Sequence, residues 1–279
     1  MVLVTALAGC ATSTATSTGG PPSNASGQST SSTSDGISAQ LDALLPADVI
    51  LLGEQHDAPD HQRIHRDVIA LLATGDMLAA VAIEMADQGG STVGLAANAS
   101  EDQIRTALKW NPQVWQWATY APAIMTAVRA GVPVLGANLP RPIMGEAMRN
   151  ARFDTLLSGP AFKAQQQLIR SGHCDLLPES QIQPMTRVQV ARDVAMANTL
   201  ASVVVPGKTV VLLAGSGHAD RALGVPQHLP QSVKSVSVLL HTGVAQPASE
   251  RASDFDTVWT TAPAPVKDYC AEFKAQRAR

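Results

Sequence analysis

Two stretches of the chain share the form Gly-x-x-His, namely Gly53-Glu54-Gln55-His56 and Gly215-Ser216-Gly217-His218. Each follows a short apolar run, and glycine there lets the backbone turn sharply and approach a ligand closely. A second glutamate, Glu84, closes the run AVAI at 80–83, while Asn138 and Arg141 follow VPVLGA at 132–137. Two imidazoles and two carboxylates (His56, His218, Glu54 and Glu84) make a donor set for a divalent metal. Arg141 could stabilise developing negative charge beside them, which together would suit metal-assisted hydrolysis. His61 and His65 lie at i, i+4 and so share one helix face. The residues between them, Gln62-Arg63-Ile64, lack the glutamate of the HExxH zinc-protease pattern. A solvated helix surface is therefore the expectation for this pair. The patterns GxGxxG, GxxxxGK[ST] and GxSxG are absent, which leaves nucleotide binding and serine-hydrolase chemistry without support.

For these residues to act together, the elements that carry them must end side by side. Runs rich in Val, Ile and Leu at 48–53, 80–83, 132–137 and 209–214 lack polar alternation, as expected of strands buried on both faces. Two more strands are expected at 235–240 and 256–260. Between them lie helical patterns at 59–74, where Gly75 acts as a stop, at 101–108 and at 114–130. The long gap from Ile143 to Val205 holds at least two further helices, one of them at 187–204. Alternating strands and helices imply an α/β fold, with a mainly parallel central sheet flanked by helices and a helix-rich insertion at about 143–205. In such a sheet ligands sit outside the carboxyl ends of the strands. Glu54, His56, Glu84, Asn138, Arg141 and His218 all take that position, so one convergent polar site is expected. His241 is read as a satisfied rim residue.

The chain opens on MVLVTALAGC, in which Leu7-Ala8-Gly9-Cys10 resembles a lipobox with Cys10 as the lipidated residue. A basic n-region and a full apolar length are missing, which places the start codon upstream of Met1 or marks a trimmed sequence. Residues 11–36 hold 14 Ser/Thr, four Gly and two Pro and no aromatic, and read as a flexible tether spanning ~28 Å. A single domain is then expected from about Ile37 to the end. Export also implies an oxidising compartment. With Cys10 set aside, Cys174 and Cys270 remain, and a disulfide, two free buried thiols or a ligand role for Cys174 are all open. The disulfide is the expectation carried forward. A net charge of −3, from 20 Lys+Arg against 23 Asp+Glu, excludes a basic nucleic-acid binder. No run of 18 apolar residues offers a transmembrane helix.

The segments LLGEQHDAPDHQRIH, GVPVLGANLPR, GHCDLLPE, QVARDVAMANTL and VVLLAGSGHADRALGVPQHL, in this order, resemble the ChaN family of haem-binding lipoproteins. That family lies in the TraB/Tiki/erythromycin-esterase-like group. The likeness spans about residues 40–245, and its most specific part is Gly172-His173-Cys174 followed by Gln189, Arg192, Asp193, Met196 and Ala197. It implies a lipoprotein of the bacterial cell envelope, anchored to the outer membrane and tied to haem and iron uptake. A homodimer enclosing two stacked haems is implied too, each iron held by one tyrosine. Only Tyr120 and Tyr269 could supply that ligand, and Tyr120 is preferred because it lies within the matched region. His173, Asn138, Arg192 and Asp193 are the further haem-contact candidates. Trp110, Trp115, Trp117 and Met125 could wall the porphyrin. The alternative is a divalent-metal-dependent hydrolase, protease- or esterase-like, because the Gly-x-x-His pairs resemble the metal-dependent site proposed for the Tiki relatives.

Overall fold

A computed structural model describes residues 34–243, 254–265 and 267–277, all of which belong to the second of two units, residues 31–279. Cys10 and most of the Ser/Thr-rich stretch lie outside the described residues. Six strands form one sheet: β1 (Val49–Glu54), β2 (Leu78–Asp87), β3 (Val134–Asn138), β4 (Thr209–Gly215), β5 (Ser235–Thr242) and β6 (Thr257–Thr261). Their order is β3-β2-β4-β1-β5-β6, and every pairing is parallel. All carboxyl ends therefore share one edge.

The apolar runs are continuous because the sheet is covered on both faces. Ile50, Leu52, Val211 and Leu213 point into one core cluster, while their neighbours Val49, Leu51, Val210 and Leu212 point into another. Against the first face pack α1 (Ser34–Asp42), α2 (Pro59–Thr74) and α4 (Trp117–Arg129). Pro at the first turn of α2 and Gly75 after its last turn delimit that helix as the sequence implies. The short α3 (Glu101–Ala107) precedes α4 and is closed at its start by a Ser100/Gln103 capping box. α1 starts at Ser34, so the folded region takes in the end of the stretch read as a tether. Its Ile37 and Leu41 are fully buried.

The helix-rich middle consists of α5 (Met144–Arg149), α6 (Gly159–Gly172) and α7 (Glu179–Ala201), with 3-10 turns at 141–143 and 151–155. α5 and α6 form a satellite core with the first part of α7, around Phe153, Phe162, Val188 and Ala191. The second part of α7 belongs to the main body of the fold rather than to the helix-rich insertion. Met196, Ala197 and Leu200 cover the second face of the sheet and complete the three layers. Chain after β4 forms α8 (Ser216–Ala219), and the described residues end on α9 (Tyr269–Arg277). Cys270 of α9 is disulfide-bonded to Cys174, which follows α6.

Candidate functional site

The strand ends do converge. Glu54 closes β1 and is almost wholly buried, with one carboxylate oxygen, Oε1, accepting from the Tyr120 hydroxyl at 2.8 Å and pairing with His56 Nδ1 at 2.8 Å. Its other oxygen accepts from Gln62 Nε2 at 2.5 Å. Burial alone would raise the Glu54 pKa, but the imidazoles of His65 and His56 and the Tyr120 hydroxyl hold it below the usual carboxylate range. His56 then leans across β4 towards Glu84, in the last part of β2 before it ends at Asp87, with Nε2 3.7 Å from Glu84 Oε2. Gly215 makes that approach possible, because a β-carbon there would stand 2.9 Å from His56 Nε2. The Gly215 amide also donates to Glu84 Oε2 at 2.8 Å.

On the far side of Glu84 lies His218, carried by α8 and buried. Its Nε2 is 3.4 Å from Glu84 Oε1, and its Nδ1 is 2.5 Å from Asp193 Oδ1 of α7. Burial works against an imidazolium, yet Glu84 and Asp193 outweigh it and hold His218 up at about 10. Glu84 is correspondingly held below the ordinary range against its burial, chiefly by the His218 charge. Asp193 is pushed up to about 6 by burial, with His218 opposing. His56 is raised: burial is overcome by Glu54 and Glu84. The result is an alternating chain Glu54–His56–Glu84–His218–Asp193, of which the half-buried His56 is the most accessible member.

The structure thus joins Glu54, His56, Glu84, His218, Asp193 and Tyr120, and sets Asn138, Arg141 and Arg192 on the flank. Asn138 Nδ2 donates to the Glu84 carbonyl at 3.0 Å, which ties β3 to β2. Arg141 and Arg192 line a cavity that also touches Glu84. His173 is not brought there. It caps α6, with Nδ1 2.8 Å from the Ile169 carbonyl oxygen, and lines neither cavity of this edge. His61 and His65 are not solvated: both are wholly buried against the sheet. His61 Nδ1 accepts from the Gln55 amide at 2.9 Å, and burial pushes this imidazole down to about 4. The expected porphyrin wall is largely spent on packing. Trp110 and Trp117 meet edge-on at 5.0 Å, and Trp110 and Tyr120 are buried in the core.

Among the described residues, no group of three or more His, Cys, Asp or Glu is arranged to hold a metal ion. The four residues expected to hold a divalent metal, His56, His218, Glu54 and Glu84, instead pair with one another, with Asp193 behind His218, and the structure lends the metal no support.

The sequence ranked Tyr269 behind Tyr120 and did not single out Lys267. A cleft of about 620 Å³ over His56 and His218 is bordered by Lys267 and Tyr269, just before and at the start of α9. The Tyr269 hydroxyl donates to Asp57 Oδ2 at 2.7 Å, and Lys267 Nζ lies 2.7 Å from the same oxygen. Tyr269 is 51% exposed, whereas Tyr120 is 3% exposed. The available signal was its place beside Cys270: a disulfide to Cys174 returns this distant segment to the body of the domain.

Comparison with known proteins follows the same lines. The family described as haem-binding uptake, Tiki superfamily, ChaN matches residues 40–229. Among solved structures, ChaN of Campylobacter jejuni, described by its cofacial heme binding, is 26% identical. That match covers 79% of this chain and 90% of that one, with a TM-score of 0.64. The type III effector HopBA1 is 14% identical over 82% of this chain and 94% of its own, with a TM-score of 0.46. An erythromycin esterase mutant in its open conformation is 13% identical over 88% and 84%, also at 0.46. No curated protein matches the chain.

Proposed function

We propose, from the premise that this chain belongs to the haem-binding uptake ChaN family of the Tiki superfamily, that it binds haem at the carboxyl edge of its sheet and serves haem and iron uptake. The observation that carries this reading is Tyr269, an exposed phenol at the border of an open cleft. Phenolate oxygen is an established axial ligand for haem iron. Tyr120 is the poorer ligand: burial first, then the Glu54 carboxylate, raises its pKa far above the ordinary value, and its oxygen is committed to Glu54. Tyr269 is also raised, first by its hydrogen bond to Asp57, but its oxygen remains within reach of solvent. Lys267 beside it offers a donor to an acidic substituent.

An open cleft leaves one face of a porphyrin plate in water, and a second protomer would cover it. A homodimer belongs to this reading for that reason. So does anchoring to the outer membrane of the bacterial envelope through lipid on Cys10. Titration of the purified chain with haemin tests the core of it. Saturable binding with a phenolate-type spectrum is expected, lost in Tyr269→Phe and kept in Tyr120→Phe. No saturable binding by the wild-type protein overturns the reading, and loss in Tyr120→Phe alone overturns the choice of ligand.

The alternating carboxylate–imidazole chain favours a second reading, a hydrolase in which His56 takes a proton from water while Glu54 orients its ring. General-base chemistry of this kind needs no metal. Turnover of activated esters by wild type, abolished in His56→Ala with the fold retained, would establish it.

A further inference from the structure

A second cavity, of about 360 Å³, opens at the carboxyl ends of β2 and β3 and shares Glu84 and Arg192 with the first. Its wall is part apolar, from Val114, Trp115 and Met144, and part cationic, from Lys109, Arg141 and Arg192. Among the described residues none of these three side chains forms an ion pair with a carboxylate, and Arg192 feels Asp193 only as a nearby charge. Arg141 engages Asp87 only through its backbone N–H, at 3.4 Å. The Arg192 guanidinium lies 4.0 Å from Met144 Sδ, and its buried Nε has no hydrogen-bond partner. A buried guanidinium nitrogen without an acceptor is costly and asks for an explanation. Neither carboxylate in the wall provides one. Glu84 is already taken by the Gly215 amide and the His218 imidazolium, and Asp87 accepts from the Arg141 amide.

Lys109 is held in this wall by the backbone. It adopts a left-handed conformation, φ +52°, which a lysine enters only where its surroundings impose it. The preceding Leu108 carbonyl is pressed against Gly90, where a β-carbon would come within 2.4 Å of that oxygen. The Lys109 ammonium lies beside Gly89, and its side chain lines the cavity.

We infer that Lys109, Arg141 and Arg192 form a subsite for carboxylate groups, next to an apolar wall that takes the body of the same ligand. Guanidinium groups recognise carboxylates through paired charge-assisted hydrogen bonds, and the half-apolar wall excludes competing water. The carboxylates could be those of a porphyrin or of a free small diacid. Only the first source rests on the haem reading.

The test titrates the full chain with haemin, haemin dimethyl ester and succinate, in wild type, in Arg141→Gln/Arg192→Gln and in Lys109→Asn, where Asn tolerates the left-handed backbone. Circular dichroism and melting temperature confirm the fold. The double variant is expected to bind haemin about tenfold or more weakly. The ester should bind wild type and variant alike. Weakening of haemin alone assigns the subsite to porphyrin acids, and succinate binding that the substitutions abolish assigns it to free diacids. If wild type binds no haemin, the haem reading fails while a substitution-sensitive succinate site still upholds the inference. If neither ligand responds to the substitutions, or neither binds, the subsite is overturned.

Discussion

His56 depends on a residue that does no chemistry. Because a β-carbon at 215 would meet its Nε2, Gly215→Ala should push the ring away from Glu84 and remove one of the carboxylates that raise its pKa. An NMR titration is expected to show His56 returning towards its ordinary value of 6.5, with a stability loss of about 1–3 kcal/mol from overpacking. An unmoved titration curve would disprove the contact. The histidines also set the pH range of the fold. His61 is buried with its pKa pushed down to about 4 against 6.5 when unfolded, so the unfolded chain binds more protons between those values. Its contribution, about 3 kcal/mol, is present above 6.5 and is lost as pH falls towards 4. His218 acts with the opposite sign. Raised to about 10, it contributes stability below 6.5 that disappears as pH rises through 10. Melting temperature should therefore peak near the ordinary histidine pKa and fall on both sides. His56, also raised, adds to the alkaline limb, so His218→Gln should shrink that limb to the part His56 supplies, and a limb unchanged by the substitution would reject this assignment.

Elements were legible where their own residues decide them. Four strands show in the sequence as Val/Ile/Leu runs because three layers bury both faces, and α2 is bounded by Pro59 and Gly75. The sequence reading starts a helix at Arg187, yet α7 begins at Glu179 and carries Pro184 in its second turn. The structure supplies what local pattern lacks there, namely burial of Ile182 and Thr186. The buried face of α2 was misread for a related reason: imidazole counts as polar in any pattern, whereas His61 and His65 pack as core. α9 had no local signal, being short and hydrophilic; what ties it down is the Cys174–Cys270 bond across a sequence separation of 96. Loop closure of that length is worth up to about 4–5 kcal/mol. Cys174→Ser is thus expected to lower the melting temperature. It should also weaken haemin binding, since Tyr269 adjoins the lost anchor, while Tyr120 and the strand-end network stay in place. Haemin affinity unchanged by Cys174→Ser would mean that α9 holds Tyr269 without the bond.

At the scale of the whole molecule, the site was readable as a set but not as a geometry. Six strand-end residues from four strands could be named because a parallel sheet gathers its carboxyl ends. Asp193, by contrast, reaches His218 from a helix distant in sequence, and no spacing rule announces that. α1 closes the first core through Ile37 and Leu41, each fully buried. A chain beginning at Ser34 should therefore melt at the temperature of the full chain, whereas one beginning at Ala43 exposes the faces those side chains cover. Burying two such residues is worth roughly 3–6 kcal/mol, so the shorter chain should melt many degrees lower or fail to fold. For the residues ahead of Ser34, the lipobox reading proposes membrane anchoring through Cys10. Cys10→Ser in cells should move the protein from the membrane to the soluble fraction, or leave it unprocessed, with haemin affinity of the purified domain unchanged. Membrane fractionation that survives the substitution would remove lipid anchoring from the account and leave the haem site untouched.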